Sequence, residues 1–209
     1  MGKYITEFVG TLFLVLIVGC AVAFAGALAP LAIGVGLMAL VYMGGHISGA
    51  HYNPAVTVGL LLCRKVSPRD GALYILVQLL GGLAGAYLAS ILTASTFAPA
   101  PGKDVATPAV ILAEALFTFM LVLVVLNVAT VKKVEGNSYY GLAIGLTVTA
   151  GAFAVGSISD AAFNPAVGTG PTVIHALLGT GSFTHLWLYL VGPILGAGVA
   201  AGVFKVQNS

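Results

Sequence analysis

Two copies of an Asn-Pro-Ala tripeptide carry the clearest chemical signal in this sequence. The copies are Asn53-Pro54-Ala55 and Asn164-Pro165-Ala166. Asparagine is a favoured N-cap, and proline is favoured at the first helical position, where its missing N–H would have had no partner. Each tripeptide therefore predicts the start of a helix. The capping asparagine would use its oxygen on backbone N–H groups and keep its NH₂ as a donor.

Two such helix starts facing each other would form the centre of a pore. Their N-termini would bring two partial positive charges together, which opposes the passage of cations. A water or hydroxyl oxygen could accept from both asparagine NH₂ groups and would then turn its own hydrogens away from the centre. The pattern predicts a passage for small, uncharged molecules rich in lone pairs, and it requires no cofactor and no metal.

The composition is that of a membrane protein. Charged residues make up 7% of the 209 residues and hydrophobic residues 59%, whereas soluble domains contain about 25% charged residues. The 28 glycines suit helices that pack closely in a bilayer. These values exclude an ordinary cytosolic or nucleic-acid-binding protein and predict contact with membrane lipid.

Hydrophobic segments predict an all-α, multi-pass fold with six transmembrane helices. A span needs about 20 mostly apolar residues, and segments of that kind run from about 4 to 27, 31 to 47, 71 to 95, 108 to 131, 138 to 156 and 185 to 206. The segments 53–62 and 164–178 are too short to cross, so we expect two re-entrant half-helices.

The chain repeats itself at an offset of 111 residues. Leu-Ala-Ile-Gly at 31–34 recurs at 142–145, and Asn-Pro-Ala-Val at 53–56 recurs at 164–167. Each half holds three spans, an odd number, so the halves must enter the membrane from opposite sides as a 3+3 inverted repeat. The predicted division is 1–97 for the first repeat, 98–107 for an extracellular connecting loop and 108–209 for the second repeat.

Basic residues predict the orientation. With both termini in the cytoplasm, only Lys103 of the lysines and arginines lies outside, as the positive-inside rule favours. The cytoplasmic set is Lys3, Arg64, Lys65, Arg69, Lys132, Lys133 and Lys205. We expect a plasma or inner membrane protein.

With these motifs in place, the chain resembles an aquaporin of the major intrinsic protein family. The resemblance covers essentially the whole sequence, including the segment 48–57 and the second Asn-Pro-Ala. It implies six tilted spans and two half-helices around one pore per subunit, and a homotetramer. It also implies that Glu7 and Glu114 brace the re-entrant loops by accepting backbone N–H groups. A proton-relay pair of carboxylates is the alternative interpretation of these two residues.

The sequence departs from that family at the selectivity filter. Most aquaporins carry an arginine three residues after the second asparagine, and here that residue is Val167. Matching without gaps places Ile33, Ala152 and Ala161 at the other three filter positions. An apolar ring admits solutes larger than water if it is wide, and it dewets and impedes water if it is narrow. The glycerol-conducting branch typically has an aspartate where this chain has Gly168.

Three further polar residues are candidates for the pore mouths. His46 and His51 are predicted at the cytoplasmic mouth, where they either contact the permeant or only brace the loop. Asp160 is predicted in the outer vestibule, where it either attracts cations or caps the loop.

Glycines of the third and sixth spans are predicted to let helices pack closely. They are Gly81, Gly82, Gly85, Gly192, Gly196 and Gly198.

These observations favour a passive channel for water and small uncharged solutes such as polyols. A coupled secondary transporter shares the inverted repeat and the broken helices, but it would be expected to hold a titratable cluster at mid-depth. A structural membrane protein is a third hypothesis. An enzyme is not predicted, because the sequence shows no nucleophile with a base, no metal-ligand spacing and no phosphate loop.

Overall fold

The computed structural model describes residues 1–208, and this part of the chain is helical and without strands. It forms eight α-helices: α1 (Gly2–Phe24), α2 (Ala29–Ser48), α3 (Pro54–Leu62), α4 (Pro68–Thr93), α5 (Thr107–Thr130), α6 (Tyr140–Ser159), α7 (Pro165–Leu178) and α8 (Leu188–Gln207). All except α3 and α7 are long and apolar enough to cross a membrane. The predicted fold class is confirmed, and the predicted spans end within three residues of the observed helices.

Local sequence sets the starts of several helices. Asn53 and Asn164 have extended backbones and cap α3 and α7, with proline at the first helical position. Ser67 caps α4 in the same way, because its hydroxyl accepts the N–H of Asp70 at 3.1 Å and Pro68 follows it. These caps satisfy donors that the first turn of a helix leaves unpaired.

The packing of the helices follows the inverted repeat. In the first half α1 packs along α4, and in the second half α5 packs along α8. Each half-helix packs mainly against a long helix of the other half, α7 against α4 and α3 against α8. The helices α2 and α6 pack against each other. Each of these pairs has its counterpart in the other half, and α2 and α6 have the same length of 20 residues.

Small residues allow the close contacts within each half. A Cβ atom added to Gly81 would lie 2.5 Å from the backbone oxygen of Phe8 in α1, and one added to Gly192 would lie 2.6 Å from Cβ of Glu114 in α5. Gly82 faces the second half-helix, because its added Cβ would lie 2.8 Å from the backbone oxygen of Ala166. The prediction for Gly198 is wrong: an added Cβ there meets nothing within 4 Å, since this glycine lies on a face of α8 that is not in a helix contact.

One end of the bundle gathers most of the basic residues. Lys3 at the start of α1 forms an ion pair of 2.8 Å with Asp70 at the start of α4. Lys65, between α3 and α4, donates to the backbone oxygen of Thr130 at the end of α5 at 3.3 Å. These contacts join three helix ends at the same end of the molecule.

Candidate functional site

The two capping asparagines lie buried at the centre of the bundle. Asn53 Oδ1 accepts the N–H groups of Ala55 and Val56 at 2.8 and 3.4 Å. Asn164 Oδ1 accepts the N–H of Ala166 at 2.9 Å. Both asparagines line the same cavity, so the structure brings the two predicted helix starts together.

The asparagine NH₂ groups also join the two loops. Asn53 Nδ2 donates to the backbone oxygen of Phe163, and Asn164 Nδ2 donates to that of Tyr52, both at 2.9 Å. An amide NH₂ carries two hydrogens, so one hydrogen of each asparagine is used in this crossed pair. One N–H of each asparagine stays available to a solute, which is compatible with the expectation that one oxygen accepts from both NH₂ groups.

The loops that precede the half-helices have an unusual backbone. Positive φ angles occur at three matching pairs of residues, although only one of the six residues is a glycine. The pairs are Gly49 and Asp160 at 86° and 58°, Ala50 and Ala161 at 49° and 52°, and Tyr52 and Phe163 at 48° each. Residues with side chains avoid this region, so surrounding contacts must hold the loops in shape.

Glu7 supplies those contacts in the first half. Its side chain is fully buried in α1. Each of its oxygens accepts two hydrogen bonds: Oε1 from Ser48 Oγ at 2.6 Å and His51 N at 2.9 Å, and Oε2 from Tyr52 N and Gln78 Nε2 at 2.8 Å each. The carboxylate thus fixes the backbone of the loop just before Asn53.

Glu114 occupies the same place in the second half but has fewer partners. Oε1 accepts from Ser159 Oγ at 2.7 Å and Ala162 N at 3.1 Å, and Oε2 accepts only from Phe163 N at 2.7 Å. The residue equivalent to Gln78 is Tyr189, whose hydroxyl is buried without a hydrogen-bond partner among the described residues. The Glu114 carboxylate therefore accepts one hydrogen bond fewer than that of Glu7, whose fourth donor is Gln78 of α4.

The bracing also turns backbone carbonyls toward the cavity. In a trans peptide the C=O points opposite to the following N–H. Since the N–H groups of residues 51, 52, 162 and 163 point at the glutamates, the carbonyls of the preceding residues point away from them. Those carbonyls belong to Ala50, His51, Ala161 and Ala162, all of which line the cavity. They offer acceptors along a wall that is otherwise apolar.

The four predicted filter residues line this one cavity, which has a volume of about 80 Å³. They are Ile33, Ala152, Ala161 and Val167. A buried water requires roughly 10–15 Å³ measured in this way, so a space of about 80 Å³ holds about five to eight molecules of that size. Its other walls are mainly leucine and valine side chains, and neither lysine nor arginine lines it.

A wider vestibule of about 970 Å³ opens at the end that carries most of the basic residues. It meets the narrow cavity at His51, Val125 and Ile144, which line both spaces. His51 Nδ1 lies 3.0 Å from Thr57 Oγ1. His46 lies on the vestibule wall and is exposed. The structure thus places both histidines at this mouth, and His51 both contacts the loop and lines the passage.

Asp160 lies at the other end of the narrow cavity and also holds a loop. Its Oδ2 accepts the N–H of Ala100 at 3.0 Å, which ties the connecting segment to the end of α6. Desolvation raises the pKa of the Asp160 carboxyl above its ordinary value, and the bond from Ala100 opposes that shift. This position is compatible with both predicted roles of Asp160, capping of the loop and attraction of cations.

The sequence did not predict several contributors to this site. Gln78 and the carbonyl oxygens of Tyr52 and Phe163 had no recognisable signal, because their roles depend on helices and loops that are distant in sequence. Val125 and Ile144 at the neck were also missed. Ile144 could have been found, since it is the equivalent of Ile33 at the offset of 111 residues.

The family model for major intrinsic proteins matches residues 1–204. The chain belongs to the major intrinsic protein family. Members of this family are channels, so this protein is a channel and not an enzyme. Its position in the family agrees with the two facing half-helices and with the cavity between them.

Individual relatives support the assignment. The chain is 36% identical to a putative aquaporin, NIP4-1, from Arabidopsis thaliana, over 93% of this chain and 70% of that protein. It is 33% identical to the glycerol uptake facilitator protein-like 6 of Lactiplantibacillus plantarum, over 100% of this chain and 99% of that protein. It is 32% identical to aquaporin AqpM of Methanothermobacter thermautotrophicus, over 99% and 97%.

A solved structure shares the fold. The X-ray structure of the aquaglyceroporin from Plasmodium falciparum superposes with a TM-score of 0.88, at 23% identity, over 97% of this chain and 94% of that chain. The arrangement of six spans and two half-helices is therefore the fold of a known channel.

Proposed function

We propose that this major intrinsic protein passes water and small uncharged solutes through the cavity between α3 and α7, with the outer ring Ile33, Ala152, Ala161 and Val167 as a filter for neutral molecules. Passive conduction of water and small solutes is the function of this family. The observation that carries the proposed filter is that all four ring residues and both asparagines line one narrow cavity without a cationic side chain.

The walls explain how a neutral solute could pass. A molecule that leaves bulk water exchanges some of its hydrogen bonds for the row of loop carbonyls, and at the centre its oxygen meets the free N–H of Asn53 and of Asn164. The apolar remainder of the wall contributes no hydrogen bonds, so the number of bonds a solute must give up decides its rate. Polyols and water satisfy both the acceptors and the two central donors.

Ions are disfavoured by the same walls. Burial of an unpaired charge is costly, and the cavity between the asparagines and Val167 holds no group of opposite charge for an anion. Cations meet the positive N-terminal ends of α3 and α7 at mid-depth. We propose that these helix ends, rather than a filter arginine, supply the barrier to cations and to protons.

Assembly and orientation are further parts of the proposal. We infer a homotetramer with one pore per subunit, in a plasma or inner membrane, with both termini in the cytoplasm. The cluster of basic residues at one end of the bundle supports the orientation. Long apolar helices with exposed leucine, valine and phenylalanine side chains support contact with lipid or with neighbouring subunits.

The proposed filter is tested in proteoliposomes by stopped-flow light scattering. Water and glycerol permeabilities are measured for the parent, Val167→Arg and Val167→Leu, with a proton-sensitive dye inside the vesicles. We expect the parent to pass both solutes, the arginine variant to keep water but lose glycerol, and the leucine variant to separate the effect of bulk from that of charge. If neither solute moves faster than through empty vesicles, the ring is a closed gate and the proposal is wrong.

A further inference from the structure

The residues of the outer ring have counterparts at the other end of the pore. Ile33 is the fifth residue of α2, and Ile144 is the fifth residue of α6, 111 positions later. The two helices belong to opposite halves of the inverted repeat, so they begin at opposite ends of the bundle. Ile144 accordingly lines the neck where the narrow cavity meets the wide vestibule.

The same offset relates the other three ring positions to residues near that neck. Val41 corresponds to Ala152, Ala50 to Ala161 and Val56 to Val167. Ala50 and Val56 line the narrow cavity, and Val41 lines the vestibule. Every position of the outer ring thus has an equivalent that borders the pore.

Backbone geometry supports this equivalence. Ala50 and Ala161 have φ angles of 49° and 52°. The asparagines that follow them have φ angles of −155° and −154°. The two loops therefore present their side chains and carbonyls in matching ways to opposite ends of the passage.

We propose that a second apolar constriction, here named the inner ring, limits solute passage in series with the outer ring. It is formed by Val41, Ala50, Val56 and Ile144. This inference rests on the proposed function, because it concerns the same conducting pathway. It assigns selectivity to four residues that lie on the vestibule side of the asparagine pair.

The inner ring is the bulkier of the two. Three of its positions match the outer ring in type, and the fourth has Val41 where the outer ring has Ala152, which adds two methyl groups. The inner side chains are also less accessible: the exposed fraction is 2% for Val41 and Val56, 5% for Ile144 and 7% for Ala50. In the outer ring Val167 is equally buried at 6%, whereas Ile33, Ala152 and Ala161 are partly exposed. A hydrocarbon constriction of this kind restricts passage by size and by dewetting.

Polar groups distinguish the two rings. His51 lies next to the inner ring, and its equivalent next to the outer ring is Ala162. Asp160 borders the outer ring, and its equivalent Gly49 borders the vestibule. The inner ring therefore combines the bulkier set of apolar side chains with an imidazole, and the outer ring combines the less bulky set with a carboxylate.

The test compares equivalent truncations. Glycerol permeability is measured in proteoliposomes for Ile33→Ala, Ile144→Ala, the double variant and Ile91→Ala, a control on the exposed surface of α4. Two equal constrictions in series predict that opening one raises permeability by at most about twofold, and that opening both raises it further. If the inner ring dominates, Ile144→Ala exceeds that factor and Ile33→Ala changes little.

Val41→Ala gives a second, smaller truncation in case Ile144→Ala fails to fold, as judged by monodisperse purification. An increase in glycerol flux with Ile144→Ala or Val41→Ala supports the inner ring. Glycerol flux that stays at the parent value in every folded inner-ring variant overturns it, whatever Ile33→Ala does. Water permeability of the parent is measured on the same vesicle preparations. A value above that of empty vesicles shows that the proposed function stands even if the inner ring does not.

Discussion

Asn53 and Asn164 are each bound to the other's loop, because the Nδ2 atom of each donates at 2.9 Å to the backbone oxygen of the residue just before the other. The same side chains cap α3 and α7 through their oxygens. Each asparagine therefore joins a helix start in its own half to a loop in the opposite half. The two half-helices are fixed relative to each other at the point where the proposed pathway passes between them.

Replacement of Asn164 by alanine should weaken both connections. Loss of the cap costs about 1 kcal/mol, and loss of the hydrogen bond to Tyr52 costs about 1 kcal/mol more. We expect Asn164→Ala to lower the thermal unfolding temperature of the purified protein and to increase proton entry in vesicles that contain a pH dye. Asn127→Ala, in α5 and away from the loops, is the control. An equal loss of stability in both variants would contradict the crossed pair.

The unequal number of hydrogen bonds to the two carboxylates predicts that substitutions at Glu7 and Glu114 differ in their effect on stability. In Glu7→Gln the new NH₂ replaces an oxygen that accepts two hydrogen bonds, whichever oxygen it replaces. In Glu114→Gln it can take the position that accepts only from Phe163 N. Since a buried donor without a partner costs about 1–3 kcal/mol, Glu7→Gln should lose more stability. Thermal unfolding of the two variants measures this, and a larger loss at Glu114 would refute the interpretation.

Removal of the hydroxyl of Tyr189 is expected not to lower the unfolding temperature. Its hydroxyl is fully buried and has no hydrogen-bond partner within residues 1–208, so Tyr189→Phe should leave the unfolding temperature unchanged or raise it. The equivalent Gln78 donates to Glu7 and to Thr57, and Gln78→Leu should be clearly destabilising. Should Tyr189→Phe prove as harmful as Gln78→Leu, the hydroxyl must have a partner that these contacts do not include.

Gly82 of α4 packs against the start of α7, which borders the pore. A side chain there would push on the backbone of Ala166 in the second Asn-Pro-Ala turn. We expect Gly82→Leu to reduce the yield of monodisperse protein before any change of selectivity can be measured. Gly198→Leu is the matched control, since that glycine has open space around it. A well-folded Gly82→Leu channel with parental yield would show that α4 can move away from α7.

Two substitutions separate the possible roles of Asp160. Asp160→Asn keeps an oxygen that can accept from Ala100 but removes the charge, whereas Asp160→Ala removes both. If the residue mainly caps the loop, only the alanine variant should lose thermal stability. If the charge attracts cations, both variants should slow proton and cation entry into vesicles. Thermal unfolding and dye-based flux assays on the same preparations distinguish the two outcomes.

The sequence predicted those features that depend on local or periodic signals. The starts of α3 and α7 follow from Asn-Pro at 53–54 and 164–165, and the spans follow from uninterrupted apolar length. The outer ring was placed by counting from the asparagines, and the structure brings its four residues to one cavity.

Contacts between distant segments were not predictable in the same way. Nothing next to Asn53 in the sequence indicates that its NH₂ binds Phe163, since that contact exists only once the two loops meet. Gly198 was misjudged because a glycine-rich helix does not reveal from composition alone which of its faces is packed. The positions proposed as the inner ring are related to those of the outer ring by the same offset of 111 residues that relates the two Asn-Pro-Ala motifs.

The inverted repeat also bears on the direction of flow. Turning the molecule over about the axis in the membrane plane exchanges its halves, so a solute entering from either side passes matching carbonyls and then the same pair of asparagines. The path differs between its ends chiefly at three pairs of positions, 41 and 152, 49 and 160, and 51 and 162. Such a pathway has little basis for rectification, and influx and efflux permeabilities should agree closely. Protein inserted in both orientations into vesicles will then report a single permeability.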